Sequence, residues 1–195
     1  MVKKKILIVE GNTREENSEF TAVGINTHTE SLIESINFYE KDLDISIANP
    51  SSDNNLKNSI DSLDKYDGMI WGGSSLNIYN DTDEIRRQIS FMRECQLKIK
   101  KIFAICWGLQ VAVTVAGGQV KKSDKGAHRG IAHNIKVNNI GSNHKIYLNK
   151  KRQFNSPAFN FDEVVKIPEG AILLSSNELN NVMGLNFKTN TSDIW

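Results

Sequence analysis

The chain has little of several features that would mark a specialised class of protein. Its 195 residues include only two cysteines, Cys95 and Cys106, which are too few for a disulfide framework and lack metal-ligand spacing. We therefore expect a reducing compartment, with the cytoplasm as the default location. The formal net charge is +1, so there is no basic excess of the kind that nucleic-acid binding needs.

Long apolar runs are missing as well. The N-terminal run Ile6 to Val9 is too short for the core of a signal peptide, and no stretch approaches the length of a membrane span. The sequence has no internal repeat or low-complexity linker, and its length suits one well-filled domain. We expect a single domain over residues 1–195, with no nucleic acid or membrane among its partners. No metal or organic cofactor site is expected.

What the sequence does contain is an alternation of strands and helices over its first 118 residues. Predicted strands lie at 5–10, 43–47, 68–71 and 98–105, and predicted helices at 27–39, 56–63, 81–95 and 108–116, with 11–26 as a loop. Crossovers of this length imply parallel strands, hence an α/β, doubly wound, mostly parallel sheet with helices on both faces. After residue 118, short runs broken by Gly, Pro and Asn predict a C-terminal β meander on the same domain.

Residues 102–110 read IFAICWGLQ, in which an apolar run ends at Cys106 and a helix begins after Gly108. Such a strand–turn–helix junction holds a nucleophile outside the sheet, and a glycine is needed where the helix passes close to the strand. The helix N-terminus would favour the thiolate, and the N–H of Trp107 would be the first oxyanion donor. A cysteine in an apolar run is also a common core residue, so the turn alone leaves both interpretations open. Cys95 has no such context and is predicted to be structural.

A second turn supports the nucleophile interpretation. The segment MIWGGSS ends another predicted parallel strand with Gly72 and Gly73. In a doubly wound sheet this loop lies next to the Cys106 turn, where a glycine N–H can point at the same oxyanion. The alternative is an ordinary turn, because Gly-Gly is a common breaker.

The sequence resembles the class I glutamine amidotransferases, and above all stand-alone relatives of the glutaminase domain of GMP synthase. AICWGLQ is similar to their Gly-x-Cys-x-Gly-x-Gln signature, and WGGSSLNIYND to their glycine-rich oxyanion strand. AGGQVKKSDKGAHRGIAHNIKV and FNSPAFNFDEVVKIPEGAILLSSNE resemble the segments that follow. The likeness covers nearly the whole chain in order and implies a flavodoxin-like fold.

The resemblance implies a glutaminase. Cys106 would attack the side-chain amide of glutamine, form a γ-glutamyl thioester and release ammonia for a separate synthetase. Gly73 and Trp107 would supply the oxyanion-hole N–H groups, and Gln110, with Gly72 and Gly108, would hold the substrate. A histidine oriented by a carboxylate is also required, because the leaving ammonia needs a proton.

The sequence departs from the family pattern at several positions. Ala104 replaces the first glycine of the signature, which should be tolerated. Asn160 stands where relatives often have His, and His128 where they often have Glu, so the resemblance leaves the details of substrate binding open. The four histidines are otherwise isolated, and none is expected to be the base. Asp162 and Glu163 are expected to be a surface pair at a strand start, since adjacent strand residues point to opposite faces.

The family's Gly-x-Gln-x-His-Pro-Glu motif can be placed in two ways. Either residues 184–190 are that motif, with Lys188 and Asn190 in place of His and Glu, or residues 173–195 precede it and the motif lies beyond Trp195. We favour the second placement and expect the catalytic His and Glu to be missing from these 195 residues. The chain would then show negligible glutaminase turnover, although Cys106 could still be alkylated.

Three functions stay open at this stage. The first is a glutaminase that uses glutamine and delivers ammonia to a synthetase. The second is a hydrolase of other γ-glutamyl compounds on the same fold. The third is a catalytically inactive module that binds or regulates a synthetase, which the first motif placement would support.

Overall fold

The computed structural model describes residues 3–195, which contain eleven strands and five α-helices. The strands are β1 Lys4–Val9, β2 Leu43–Ala48, β3 Gly68–Trp71, β4 Lys101–Ala104, β5 Gln119–Lys122, β6 His128–Val137, β7 Gln153–Asn160, β8 Asp162–Lys166, β9 Ile172–Ser176, β10 Gly184–Lys188 and β11 Asp193–Ile194. The helices are α1 Arg14–Ala22, α2 His28–Tyr39, α3 Lys57–Asp61, α4 Asp83–Lys98 and α5 Trp107–Val115. Short 3₁₀ turns lie at Leu63–Lys65, Gly141–Asn143 and Lys145–Tyr147.

Nine of these strands form one mixed sheet in the order β2-β1-β3-β4-β11-β10-β9-β6-β7. The strands from β2 to β11 are parallel, and those from β10 to β7 continue the sheet in antiparallel fashion. Strands β5 and β8 pair separately as an antiparallel ribbon. The α/β fold with a largely parallel sheet is confirmed, and the predicted meander forms the antiparallel half and the ribbon.

The helices cover the two faces of the parallel half unequally. Alternate strand residues such as Met69, Trp71 and Ile102 are buried in one core with α4 and α5, and the indole of Trp71 meets the ring of Phe91 edge-on at 6.0 Å. On the opposite face, strand register aligns Ile8, Ile47, Ile70 and Phe103 in one row. Ile47 is 58% exposed and Phe103 is 39% exposed, so this second apolar layer is only partly covered.

The predicted loop at 11–26 is wrong, because it contains helix α1. The Thr13 hydroxyl accepts the Glu16 N–H at 3.2 Å, and the Glu16 carboxylate accepts the Thr13 N–H at 2.8 Å, which makes a complete capping box. No residue of α1 is buried, so the helix carries no apolar stripe for periodicity to detect. An equivalent capping box forms at the start of α2, between Thr27 and Glu30.

The junction between β4 and α5 depends on the absence of a side chain at Gly108. A Cβ built on Gly108 would overlap the Trp71 carbonyl oxygen and lie 2.8 Å from the Trp71 Cβ. The predicted close passage of the helix against the neighbouring strand is therefore observed.

We predict that Gly108→Ala destabilises the fold by about 1–3 kcal/mol, because the Trp71 main chain is held in the sheet and cannot give way. Gly72→Ala is the matched control, since a Cβ there has no heavy atom within 4 Å. Its free energy of unfolding should change by less than about 1 kcal/mol. Denaturant unfolding measures both variants, and equal stabilities would contradict the close-approach argument.

Candidate active site

Cys106 lies in a strained turn between β4 and α5. Its backbone has φ 52° and ψ −104°, a region that residues other than glycine rarely adopt. The cysteine is free, and its side chain is exposed at the carboxyl edge of the parallel strands. The core interpretation is therefore wrong for Cys106. It is correct for Cys95, which is fully buried.

The two-glycine loop after β3 lies beside this turn, as the sequence predicts. The Ile105 N–H donates to the Trp71 carbonyl at 2.8 Å, and the Gly108 N–H donates to the Gly72 carbonyl at 3.1 Å. These bonds join the main chain of the two turns directly. The structure thus brings Gly72, Gly73 and Trp107 to the same sheet edge as Cys106.

A buried glutamine that the sequence analysis missed ties these loops together. Gln88 of α4 accepts the Trp107 indole N–H at 2.7 Å and donates to the Gly11 carbonyl at 3.0 Å. A Cβ on Gly11 would lie 2.7 Å from the Gly73 carbonyl oxygen, so the loop after β1 packs against the loop after β3. The sequence does contain a signal for this role, because Gln88 is a polar residue on the apolar stripe of α4, three positions after Ile85.

Cys106 opens on a cavity of about 430 Å³ between the parallel sheet, the ribbon and the antiparallel strands. Its polar lining includes Gln110, Asp162 and Glu163, and most of the remaining wall is apolar. The apolar and aromatic residues of the wall include Phe103, Ile105, Leu109, Ile135, Phe154, Pro157, Phe159, Leu185 and Trp195.

The expected surface pair of Asp162 and Glu163 is wrong, because both side chains line the cavity and are at most 9% exposed. They are the first two residues of β8, where the chain passes from β7 of the main sheet to the separate ribbon. Both sides of the strand are covered by protein at this point, so neither side chain faces solvent. Among residues 3–195, the Glu163 Oε2 and the Gln110 Oε1 are buried without a hydrogen-bond partner. The Tyr79 hydroxyl donates to the Asp162 carboxylate at 3.2 Å.

The environment of Cys106 favours the protonated thiol. Desolvation by the surrounding protein raises its pKa, although Cys106 is exposed as a residue, and the negative charge of Asp162 adds a smaller increase. The Trp107 main chain lowers it, as expected at a helix N-terminus, but this effect is outweighed. Desolvation also raises the pKa of Asp162, against the lowering effects of Tyr79 and Lys122. A basic group or a change in local charge is therefore needed to produce the thiolate at neutral pH.

The histidines are dispersed, and within residues 3–195 none of them lines the cavity. His28 packs over the Gly73 Cα, which brings it close to the loop beside the turn despite its distance in sequence. His128 is buried in a hydrogen-bond network, His133 is exposed, and His144 caps a 3₁₀ turn.

The structure argues against Lys188 and Asn190 as replacements for the family's His and Glu. Lys188 pairs with Asp193, which pairs with Lys101 at the start of β4, roughly 16 Å from the end that carries Cys106. Trp195 lies at the correct end, since its carbonyl accepts the Ala104 N–H at 2.7 Å.

This fold and cysteine turn define an α/β protein with an exposed cysteine in a strained turn at the carboxyl edge of a parallel sheet. Residues 25–193 match the glutamine amidotransferase class-I family, and the chain belongs to that family. A glutamine amidotransferase from Thermotoga maritima has the same fold, with a TM-score of 0.73 at 16% identity over 98% of this chain and 74% of its own.

The chain is also similar to curated proteins that act on γ-glutamyl compounds. It is 29% identical to a γ-glutamyl-L-1-hydroxyisopropylamide hydrolase from a Pseudomonas species, over 100% of this chain and 66% of that protein. It is 32% identical to γ-glutamyl peptidase 3 of Arabidopsis thaliana, over 62% of this chain and 49% of that protein. A glutamine-hydrolysing GMP synthase subunit of Sulfolobus acidocaldarius is 27% identical over 62% of this chain and 60% of its own. The chain thus spans less than two thirds of the length of these relatives.

Among residues 3–195, no helix has the length and apolar character to span a membrane. No cluster of three or more His, Cys, Asp or Glu side chains in the same residues is arranged to hold a metal ion.

We predict that iodoacetamide alkylates Cys106 in the native protein and leaves the buried Cys95 unmodified. Since only the thiolate reacts, the alkylation rate should rise with a midpoint above pH ~8.5, the ordinary cysteine pKa. Asp162→Asn should move the midpoint to lower pH, because it removes a negative charge that opposes the thiolate. Mass spectrometry of peptides follows both thiols, with the exposed Asp124→Asn as control. An unchanged midpoint in Asp162→Asn would contradict the assigned charge effect.

Proposed function

We propose that the protein hydrolyses the side-chain amide of a γ-glutamyl compound, with Cys106 as nucleophile. The observation that carries this proposal is the strained turn that presents Cys106 to a cavity whose lining residues Gln110 and Glu163 each carry a buried oxygen without a hydrogen-bond partner. The thiolate adds to the γ-carbonyl carbon, and the tetrahedral intermediate expels the amine once its nitrogen has gained a proton. Water then hydrolyses the γ-glutamyl thioester to glutamate and restores the thiol.

The oxyanion of the intermediate is assigned to the main-chain N–H groups of Gly73 and Trp107. Their two loops are joined by hydrogen bonds and packed through Gly11 and Gln88, which supports a fixed arrangement of donors. Gly108 contributes by allowing the approach of α5 to β3, and a direct contact of Gly72 or Gly108 with substrate stays a prediction.

The glutamyl end of the substrate is assigned to Asp162, Glu163 and Gln110. Two carboxylates and an unpartnered amide oxygen form a set of acceptors that suits an α-ammonium group. An ammonium there would satisfy acceptors that are otherwise buried without donors. This supports an α-amino acid as the invariant part of the substrate.

A general base must also reach Cys106, because the thiol is protonated in its present surroundings. Strand β11 runs parallel to β4, and Trp195 lines the cavity. Any residue that follows Trp195 would therefore start beside the nucleophile. The histidine and glutamate predicted beyond this position would be well placed, and their presence stays a prediction.

The apolar wall favours a γ-glutamyl amide of an organic amine over glutamine itself. Apart from the carbonyl carbon, the reacting nitrogen of glutamine carries only hydrogens. Glutamine therefore has no alkyl group on that nitrogen to bury against the wide apolar surface near Cys106. The similarity to a γ-glutamyl amide hydrolase agrees with this order. Glutamine hydrolysis with ammonia delivered to a separate synthetase is the second candidate, supported by similarity to a glutamine-hydrolysing GMP synthase.

We predict that the chloromethyl ketone analogue of glutamine labels Cys106 with saturation kinetics. Displacement of chloride by the thiolate needs no general acid, so this probe tests the nucleophile and the glutamyl subsite alone. Asp162→Asn should raise the half-saturating concentration about 10- to 100-fold, the cost of losing one charged hydrogen bond. Asp124→Asn is the control, and Cys106→Ala should abolish labelling. Non-saturable labelling would contradict the proposed glutamyl subsite.

The two candidate substrates are distinguished by how well they protect Cys106 from the same probe. γ-Glutamyl propylamide should protect at about one tenth of the concentration of glutamine, because its alkyl group is buried against the apolar wall. Protection measures binding and does not require turnover. Stronger protection by glutamine would favour the ammonia-supplying glutaminase over the amide hydrolase.

A further inference from the structure

His128 is the centre of a buried polar network that runs towards the Cys106 cavity. It is the first residue of β6, is 4% exposed and faces Asn160 of β7 in strand register. Its Nδ1 lies 2.9 Å from the Asn160 Oδ1, and its Nε2 lies 2.9 Å from the Asn177 Nδ2. Both ring nitrogens are therefore used.

Main-chain partners fix the direction of each hydrogen bond. The Asn160 Nδ2 donates to the Asp162 carbonyl at 3.0 Å, so the Asn160 Oδ1 is the acceptor for the histidine N–H. The Asn177 Oδ1 accepts the Asn180 N–H at 2.8 Å, so its amide nitrogen donates to the histidine Nε2. The arrangement makes Nδ1 of His128 the hydrogen-bond donor and Nε2 the acceptor.

The two ends of this network reach different walls of the cavity. Asn160 and Asp162 line the wall where β7 ends and β8 begins. Asn180 lines the wall formed by the loop between β9 and β10, and its Oδ1 also accepts the Val182 N–H at 3.0 Å. The imidazole of His128 thus joins two segments that are distant in sequence.

We propose that His128 is a positioning residue, which links Asn160 to Asn177 and thereby holds the Asp162 carboxylate at the Cys106 cavity. The expected effect of His128 on substrate binding rests on the proposed function. Its expected effect on the alkylation midpoint of Cys106 does not, because that effect depends only on where the Asp162 charge lies. His128 and Asn160 are also two of the positions at which the sequence departs from the family pattern. Their direct contact shows that the two departures form one interacting pair.

The test uses the pH profile of Cys106 alkylation by iodoacetamide, which needs neither turnover nor a substrate. In His128→Leu the Asp162 carboxylate is no longer held in place, and its charge should raise the pKa of Cys106 less. The alkylation midpoint should then shift to lower pH, as it does in Asp162→Asn. The double variant should show no shift beyond Asp162→Asn, because both changes act through the same charge. His128→Gln keeps one donor and one acceptor and should restore the original midpoint.

His133→Leu is the matched control, since His133 is exposed on the same strand and enters the network only through its carbonyl. Its alkylation midpoint should equal that of the unmodified protein. Asn160→Ala provides a second route should His128→Leu fail to fold, because it cuts the same link at a half-buried position. The expected result is again a shift to lower pH.

A second readout separates this proposal from the proposed function. His128→Leu should raise the half-saturating concentration of the chloromethyl ketone about as much as Asp162→Asn does. The pH midpoint of the limiting labelling rate should shift together with the pH midpoint of iodoacetamide alkylation. If His128→Leu lowers stability but leaves both the midpoint and the half-saturating concentration unchanged, the residue is structural and the proposal is wrong. If the midpoint shifts while no variant shows saturable labelling, the positioning role stands and the proposed function fails.

Discussion

The whole site depends on how closely the start of α5 approaches the Trp71 carbonyl of β3. Only glycine fits at position 108, and the turn that leads to it holds Cys106 at a positive φ. The strain of this turn is balanced by hydrogen bonds from Ile105 and Gly108 to the neighbouring strand and loop. Gln88 then connects the same helix start to the loop after β1, so three loops share one rigid support.

The parts of the fold that the sequence predicts are those that local physics determines. Alternating β-branched strands, glycine breaks and amphipathic helices place β1 to β4, α4 and α5 within a few residues of their observed bounds. The Cys-x-Gly turn is visible for the same reason, because Gly108 has a steric requirement that only glycine meets. Helix α1 was missed since it is held by a capping box at Thr13 and by exposed polar residues, without the apolar periodicity that identifies a helix.

The chemistry of the cavity was less accessible from sequence, because it arises where distant segments meet. The alternation rule assigns Asp162 and Glu163 to opposite faces, but it assumes a regular strand with one free face. Here the chain moves from the main sheet to a separate ribbon at that point, and both carboxylates are enclosed. The contact between His128 and Asn160 likewise depends on the register of β6 and β7, which no local pattern specifies.

The charges of the cavity connect the nucleophile to the ligand it would accept. Desolvation and, to a smaller extent, the Asp162 carboxylate raise the pKa of Cys106, so the unliganded site favours the thiol over the reactive thiolate. An α-ammonium group bound at Asp162 would offset that negative charge and lower the pKa of the thiol. The same group would satisfy the buried acceptors on Glu163 and Gln110. Under the proposed function, a compound without the ammonium would thus lose both binding energy and the lowering of the Cys106 pKa, and selectivity for γ-glutamyl compounds would be tied to the reactivity of Cys106.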